Sequence, residues 1–283
     1  MATAITQAAT TRTPVHIAPS RQLLTLRLRE VWAYRELLYF FVWRDIKIRY
    51  KQTVIGAAWA LLQPFVTMLV FTLFFGRLAK LPTNGLPYPI FYYCALLPWT
   101  YFATSLQNAT NVIVEQQRLV TKVYFPRLVL PISAVVSGLV DFAIAFGILV
   151  ALMAYYHISP TKSVLLLPAF LLLALVTALG FGLWLSALNA IYRDVRYILP
   201  FLIQFWMFAS PVAYSTSLVP EHWRWAYGLN PMAGVIEGFR WALTGKGLAP
   251  APFCLASGCG VALVLLGGLF YFRRMEGSIA DVV

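Results

Sequence analysis

Charge is what this sequence has least of. Only 11% of its 283 residues are Asp, Glu, Lys or Arg, where a soluble domain carries about a quarter. With 60% hydrophobic residues and a mean hydropathy of +0.74, the chain lacks the polar surface to face water on all sides, which excludes an ordinary soluble globule. Acidic residues are the scarcer sign, 10 against 22 basic ones. The resulting net charge of +12 would suit nucleic acid or an anionic membrane face. Long uncharged runs between the basic stretches decide for the membrane and against nucleic acid. Cysteine is nearly missing too. Cys94, Cys254 and Cys259 each fall in an apolar segment with no His or carboxylate spaced to complete a metal site. They read as small buried hydrophobes, and no metal centre is expected.

Catalytic patterns are absent as well. A phosphate-cradling loop needs Gly-x4-Gly-Lys-[Ser/Thr], and the sole Gly-Lys pair, Gly245-Lys246, is followed by Gly247. The chain cannot hydrolyse ATP by itself, no cofactor of its own is expected, and His16, His157 and His222 lie too far apart to suggest an enzyme site. An ion-coupled carrier would show paired intramembrane charges, broken helices or internal repeats. The apolar stretches hold one ionisable residue, Asp141, at a depth where a charge costs roughly 2.5–3.5 kcal/mol. It is expected to face protein, clamped through Asn189, Gln204 or a partner subunit.

What is present is length. Six stretches, Val54 to Gly76, Ile90 to Val114, Leu128 to Tyr156, Val164 to Tyr192, Tyr197 to Val219 and Pro252 to Phe272, can each supply the roughly 20 helical residues that cross a hydrocarbon core. The fold class predicted is therefore all-α and integral to the membrane, with six transmembrane helices. If the N-terminus is cytoplasmic, sixteen of the 22 basic residues lie inside; without the four most distant from the first span, twelve still face six. Both termini are expected in the cytoplasm.

The chain divides into a disordered cytoplasmic tail (1–20), an amphipathic interfacial helix (21–53), a transmembrane domain (54–273) and a C-terminal cytoplasmic tail (274–283). In the interfacial segment Leu24, Leu28, Val31, Trp32, Leu38, Tyr39, Val42 and Ile46 recur with helical period among Arg35, Arg44, Lys47, Arg49 and Lys51. Such a helix is expected in the headgroup layer, as a plain anchor or as one wall of a way in. The outer loop, Pro220 to Ala251, carries Trp223, Trp225, Tyr227, Phe239 and Trp241, too aromatic for a solvated loop. Asn230-Pro231 marks a turn and Gly245 a helix end, so a pair of short re-entrant helices is expected before the last span. Between spans two and three, Glu115 to Arg127 places Leu119, Val120 and Val123 among Arg118 and Lys122. It reads as a basic turn or as a short helix seated in a soluble partner.

Several short motifs in order carry a resemblance. They are Arg44-Asp45-Ile46-Lys47-Ile48-Arg49-Tyr50-Lys51 with Gly56, Trp59 and Gln63-Pro64, then Leu97-Pro98-Trp99, Lys122 to Pro126, Tyr192-Arg193-Asp194-Val195-Arg196, Asn230-Pro231-Met232, and Arg273-Arg274-Met275-Glu276 with Ala280-Asp281-Val282. The sequence from Leu24 to Val283 resembles ABC-2 permeases that export O-antigen, capsule and teichoic acid precursors, and looks nearer the O-antigen and teichoic acid branch. The resemblance implies a lipid-linked polysaccharide as substrate and a bacterial plasma membrane. It also implies a homodimer of permeases bound to two ATP-binding subunits, which carry the ATP and magnesium. It favours a coupling helix over a turn for Glu115, Arg118, Leu119 and Lys122, with Arg193, Asp194 and Arg196 beside it, and an amphipathic N-terminal helix bearing Arg35, Arg44, Lys47, Arg49 and Lys51, as anchor or as entry wall. The importer signature, Glu-Ala-Ala with a Gly shortly after, is missing. Phe, Trp and Tyr make up 16% of the chain; Trp59, Phe71, Tyr92, Trp99 and Tyr101 lie inside spans, where rings could line a channel for sugar C–H faces or pack between helices. An ABC-2 exporter of drugs or lipids and an ion-coupled flippase are the competing readings.

Overall fold

The apolar runs become helices throughout the computed structural model, which describes residues 28–51, 58–246 and 251–282. The tail 1–20 and the side chain of Trp59 fall outside this description. Among the described residues, four helices are long and apolar enough to cross a membrane by length and composition: Leu61–Leu78, Val129–Tyr155, Lys162–Ile191 and Ala256–Gly277. They match the expected first, third, fourth and sixth spans. The other two expected spans differ, each for a physical reason.

The second is helix α4 (Tyr88–Glu115), which follows α1 (Leu28–Ala33), α2 (Arg35–Lys51) and α3 (Ala58–Phe71, continued as a π-helix over Thr72–Leu78). At 28 residues α4 is long enough, but it carries Tyr, Thr, Asn and Gln because it is the hub of the bundle. It packs against α3, against α6 (Val129–Tyr155), α7 (Leu167–Ile191), α8 (Val195–Phe208) and α10 (Pro231–Thr244). Every residue from Ile90 to Trp99 is buried, so this half of the helix has no lipid-facing side. A helix wrapped by protein can hold polar groups that a lipid-facing one cannot.

The fifth expected span, Tyr197 to Val219, is α-helical only in α8, 14 residues ending at Phe208, about 21 Å long, with a single 3-10 turn at Thr216–Leu218 beyond it. Ser210 and Pro211 end it, since Pro brings no N–H to continue the ladder, and residues 210–213 turn inward and are buried. Non-helical backbone is tolerable at depth only where protein satisfies it. Here Asn230 Nδ2 donates to the Ala209 carbonyl at 3.2 Å and to Ser210 Oγ at 2.9 Å, and Arg240 Nη2 donates to the Val212 carbonyl at 3.2 Å.

The short helices before the last helix are α9 (Glu221–Tyr227) and α10, after α5 (Gln117–Lys122) and ahead of α11 (Ala251–Val282). The sequence signals act as expected: Asn230 caps α10 by accepting from the Met232 N–H at 3.1 Å, Pro231 takes its first turn, and Gly245 ends it at φ +67°. What pattern did not announce is that α10 is the buried member. Arg240 and Glu237 are 2% and 4% exposed and meet at 3.1 Å. Arg240 also donates to the Phe91 carbonyl at 3.3 Å and lies 3.7 Å over the Phe91 ring, while Thr216 Oγ1 donates to Glu237 at 2.6 Å. One ion pair thereby ties α10 to α4 and to the turn after α8.

The remaining large contact is α7 on α11, and it depends on small residues, as helix packing in lipid does. A Cβ on Gly268 would stand 2.6 Å from the Gly180 carbonyl oxygen, and one on Gly180 would stand 3.1 Å from the Leu265 nitrogen. Both obstacles are backbone, which cannot swing aside. Gly147 on α6, by contrast, has nothing within 4 Å of its Cβ position. Gly268→Ala should therefore lower stability by about 1–3 kcal/mol, and Gly147→Ala should raise it by up to about 1 kcal/mol through helix propensity. Thermal unfolding of the detergent-purified chain reads both; equal effects at the two glycines would contradict the close approach.

Candidate functional site

The basic residues gather at one end of the bundle. Asn189 near the end of α7 donates to the Thr110 carbonyl at 3.0 Å and to Asn111 at 3.2 Å near the end of α4. Arg44 Nη1 donates to Gln116 at 3.3 Å, Phe41 meets Phe125 with ring centres 5.8 Å apart, and Arg127 contacts Glu276 near the end of α11. These bonds bring Glu115, α5 and the 192–196 turn to the same end as the start of α6, the first part of α2 and the far end of α11. Of the seven residues expected to couple to a partner, Glu115, Arg118, Lys122, Arg193, Asp194 and Arg196 are exposed there. Leu119 is the exception. It packs against the core with buried Val120 and so anchors α5 while Arg118 and Lys122 point outward. Val123 and Tyr124 continue the outward face, 52% and 78% exposed.

The opposite end is less basic than a count suggests. Lys246 donates to the Gly85 carbonyl at 2.8 Å and Thr161 to the Ala242 carbonyl at 2.8 Å, closing that end. Of the six basic residues expected on the outer side, Arg240 is internally paired and Arg224 meets Glu221 at 3.4 Å. Pairing trims both ends, since Arg44, Arg49 and Arg273 meet Asp45, Asp141 and Glu276, and the basic excess stays at the first end.

From the basic end, α2 runs alongside α6. Phe41 sits at the level of Phe125, and Arg49 and Tyr50 reach Asp141, twelve residues into α6, about 18 Å along its axis. Expected in the headgroup layer, the helix thus climbs beside a long helix. Its apolar and basic residues do not separate into two faces: Trp32, Tyr39, Phe40, Trp43 and Ile48 are all exposed, as are Arg35, Lys47 and Lys51. Arg44 instead pairs with Asp45 at 2.9 Å and lies 4.8 Å from the Phe41 ring centre.

The partner of Asp141 is a correction to the sequence reading. Its carboxylate accepts from the Arg49 guanidinium and from the Tyr50 hydroxyl, whereas Asn189 is engaged with α4 and Gln204 is exposed. Burial, then the hydrogen bond to Asp141, push the Tyr50 phenol above its ordinary pKa, so it stays a neutral donor. Around this triad lies a cavity of about 280 Å³ between α2, α3, α4 and α6. One wall is apolar (Leu97, Phe142, Ala145), and the other is polar (Thr100, Thr104, Gln107, Asn108, with Gln63 from α3).

The aromatic candidates are placed differently. Phe71, Tyr92, Trp99 and Tyr101 are 7%, 0%, 4% and 3% exposed; Phe71 meets Tyr92 edge-on at 5.8 Å and Tyr101 meets Phe142 edge-on at 5.9 Å, while Trp99 lies tilted against Phe102 of the same helix at 5.5 Å. Within one chain these rings pack helix to helix, and of the four only Tyr101 borders the cavity. The groups that pattern reading passed over are Glu237, Arg240 and the amides Gln107 and Asn108. An i, i+3 acid–base pair and a Thr100, Thr104, Gln107, Asn108 stripe at helical spacing were the signals available.

The fold and this site define a class: a polytopic helical membrane protein with one exposed, basic end. The sequence profile of the ABC-2 type transporter matches residues 36–244, and the chain belongs to that family. It is 33% identical over 255 residues to the O-antigen export system permease protein RfbA of Myxococcus xanthus, covering 88% of this chain and 96% of that protein. It is 24% identical to RfbA of Klebsiella pneumoniae over 88% of this chain and 95% of that one. Against the polysialic acid transport protein KpsM of Escherichia coli it is 24% identical, over 69% of this chain and 76% of the relative.

Loss of the Arg49–Asp141 pair gives a direct test of the site's architecture. Asp141→Leu should destabilise the chain by about 1–3 kcal/mol, since it strands two donors, and adding Arg49→Met should restore part of that, because removing both partners costs less than removing one. Thermal unfolding in nanodiscs reads the set. A double mutant that merely sums two single losses would show that the pair does not form.

Proposed function

We propose that this chain is the membrane subunit of an exporter of lipid-linked, O-antigen-like polysaccharide, driven by a separate ATP-binding subunit. The observation that carries this is the near full-length likeness to two O-antigen export permeases, against shorter coverage of the capsule-type relative. The chain takes six spans, with α4 as the second and α8 with its buried turn as the fifth, and re-entrant α9 and α10 on the outer side. The basic end faces the cytoplasm of the bacterium, as the positive-inside asymmetry requires, and both termini lie there. Two copies pair through apolar surface the single chain leaves open, where Phe201 and Phe205 of α8 are 71% and 66% exposed, and two ATP-binding subunits carrying ATP and magnesium dock beneath them.

Coupling passes through α5. Leu119, Val120 and Phe125 hold it to the bundle, so a push on its outer face moves α4 and α6, which it joins. Arg118 and Lys122 provide the charge and Val123 and Tyr124 the apolar contact. In the 192–196 turn, Arg193, Asp194 and Arg196 present a second charged contact. Reversing Arg118 and Lys122 to Glu should weaken co-purification of the ATP-binding subunit about tenfold or more, a loss of at least about 1.4 kcal/mol. It should stop export in parallel while membrane insertion persists. Lys162→Glu, at the other end, should change neither. Unchanged binding and export in the double mutant would remove α5 from the coupling path.

A further inference from the structure

Beside Asp141, three carboxamides lack a use, Gln107 and Asn108 on α4 and Gln63 on α3. Their side chains line the cavity and make no hydrogen bond to any described residue. The Thr100 hydroxyl is in the same position, whereas Thr104 is satisfied by the Thr100 carbonyl at 2.8 Å. Asn108 and Thr100 are half-buried, while Gln63 and Gln107 are exposed. Hydrocarbon supplies no hydrogen bonds to amides left open at this depth, and elsewhere in the bundle Asn189 and Asn230 are each tied to a partner helix or turn. A polar stripe that borders a cavity and stays unpartnered among the described residues is placed for a guest.

The chemistry of the walls says which guest. The one arginine and the one carboxylate in the lining neutralise each other, since Arg49 is bonded to Asp141, and Lys47 and Lys51 on the same helix are not among the lining residues. Among the described residues, no unpaired cation lines the cavity to hold a phosphate. Carboxamides instead offer a donor and an acceptor side by side, the match for vicinal hydroxyls. The opposite wall, Leu97 and Phe142, offers an apolar surface for ring C–H groups. At about 280 Å³ the space is at the lower edge of the ~300–1,000 Å³ typical of small-ligand sites, enough for a sugar unit and too small for a chain.

We propose that this cavity is a binding site for a single neutral hexose-sized unit of the cargo, held by Gln63, Gln107 and Asn108 against Phe142. The proposal rests on the export reading, in that it assigns the cargo's sugar rather than its phosphate to the middle of the membrane. It also accounts for the buried salt bridge, which keeps the site uncharged and ties α2 and α6 to either side of it.

The test uses the full chain assembled with its ATP-binding subunit in nanodiscs, with Cys94, Cys254 and Cys259 changed to Ala and Thr104→Cys added as a reporter, since Thr104 lines the cavity without being one of the three amides. A small water-soluble maleimide should label position 104, and glucose, galactose, mannose or rhamnose should slow the labelling, about tenfold where the sugar stands near ten times its Kd. Inorganic pyrophosphate should not slow it. Lys162→Cys, exposed at the other end, should label at the same rate with or without sugar. Gln107→Leu and Gln63→Leu should each abolish the protection while leaving the melting temperature unchanged or higher, because the amides they remove support no contact in the fold. Protection by pyrophosphate alone, no protection by any of the four sugars, an unreactive position 104, or protection that survives either Leu substitution would each overturn the proposal. Binding is read without transport, so its failure beside intact polysaccharide export leaves the export reading standing. Sugar protection in a chain that exports no polysaccharide would leave the site and remove that reading.

Discussion

The buried charges of this bundle answer to one constraint: the hydrocarbon around it supplies no hydrogen bonds. Asp141 is held by a guanidinium and a phenol. Glu237 and Arg240 are held by each other within α10, by Thr216 and by two backbone carbonyls. The non-helical turn after α8 has its backbone satisfied by Asn230 and Arg240. Apart from the Glu237–Arg240 pair itself, these bonds join separate elements, so satisfying the charges also fixes tertiary structure. Apolar burial drives less of the assembly here than in water, since lipid is as apolar as leucine.

The central helix follows from the same rule. α4 holds more Tyr, Thr, Asn and Gln than the other long helices and is deeply buried among them, and burial permits the composition. Its two ends then do different work. The end at Phe91 receives Arg240 and anchors the outer hairpin, while the end at Glu115 turns directly into α5 and the exposed basic surface. On the coupling proposed above, a displacement of α5 travels along α4 past the Asp141 cavity.

Much of this was legible in the sequence. Helix positions followed from uncharged length, the start and end of α10 from Asn230-Pro231 and Gly245, and the short α5 from Leu119 and Val120 among basic residues stopped ahead of Pro126. The end of the fifth span was not, because Val212, Ala213, Tyr214 and Val219 prolong the apolar run although their backbone turns at Ser210. Hydropathy registers burial without distinguishing lipid from protein. For the same reason the rings of Tyr92 and Trp99 could be read as channel wall, when their contacts are with neighbouring helices of the same chain. The partner of Asp141 lies 91 and 92 residues away, and a pairing at that separation leaves no periodic trace.

The account stands on a division of labour, with cargo passage in this chain and ATP hydrolysis in a partner bound at the basic end. It is tested most directly by reconstituting the chain into proteoliposomes with and without the ATP-binding subunit and following a lipid-linked O-antigen-like glycan from one leaflet to the other. The account predicts translocation when both subunits and ATP are present, none with either subunit alone, and none when the partner binds ATP without hydrolysing it. Translocation by this chain alone, driven by an ion gradient, would contradict it.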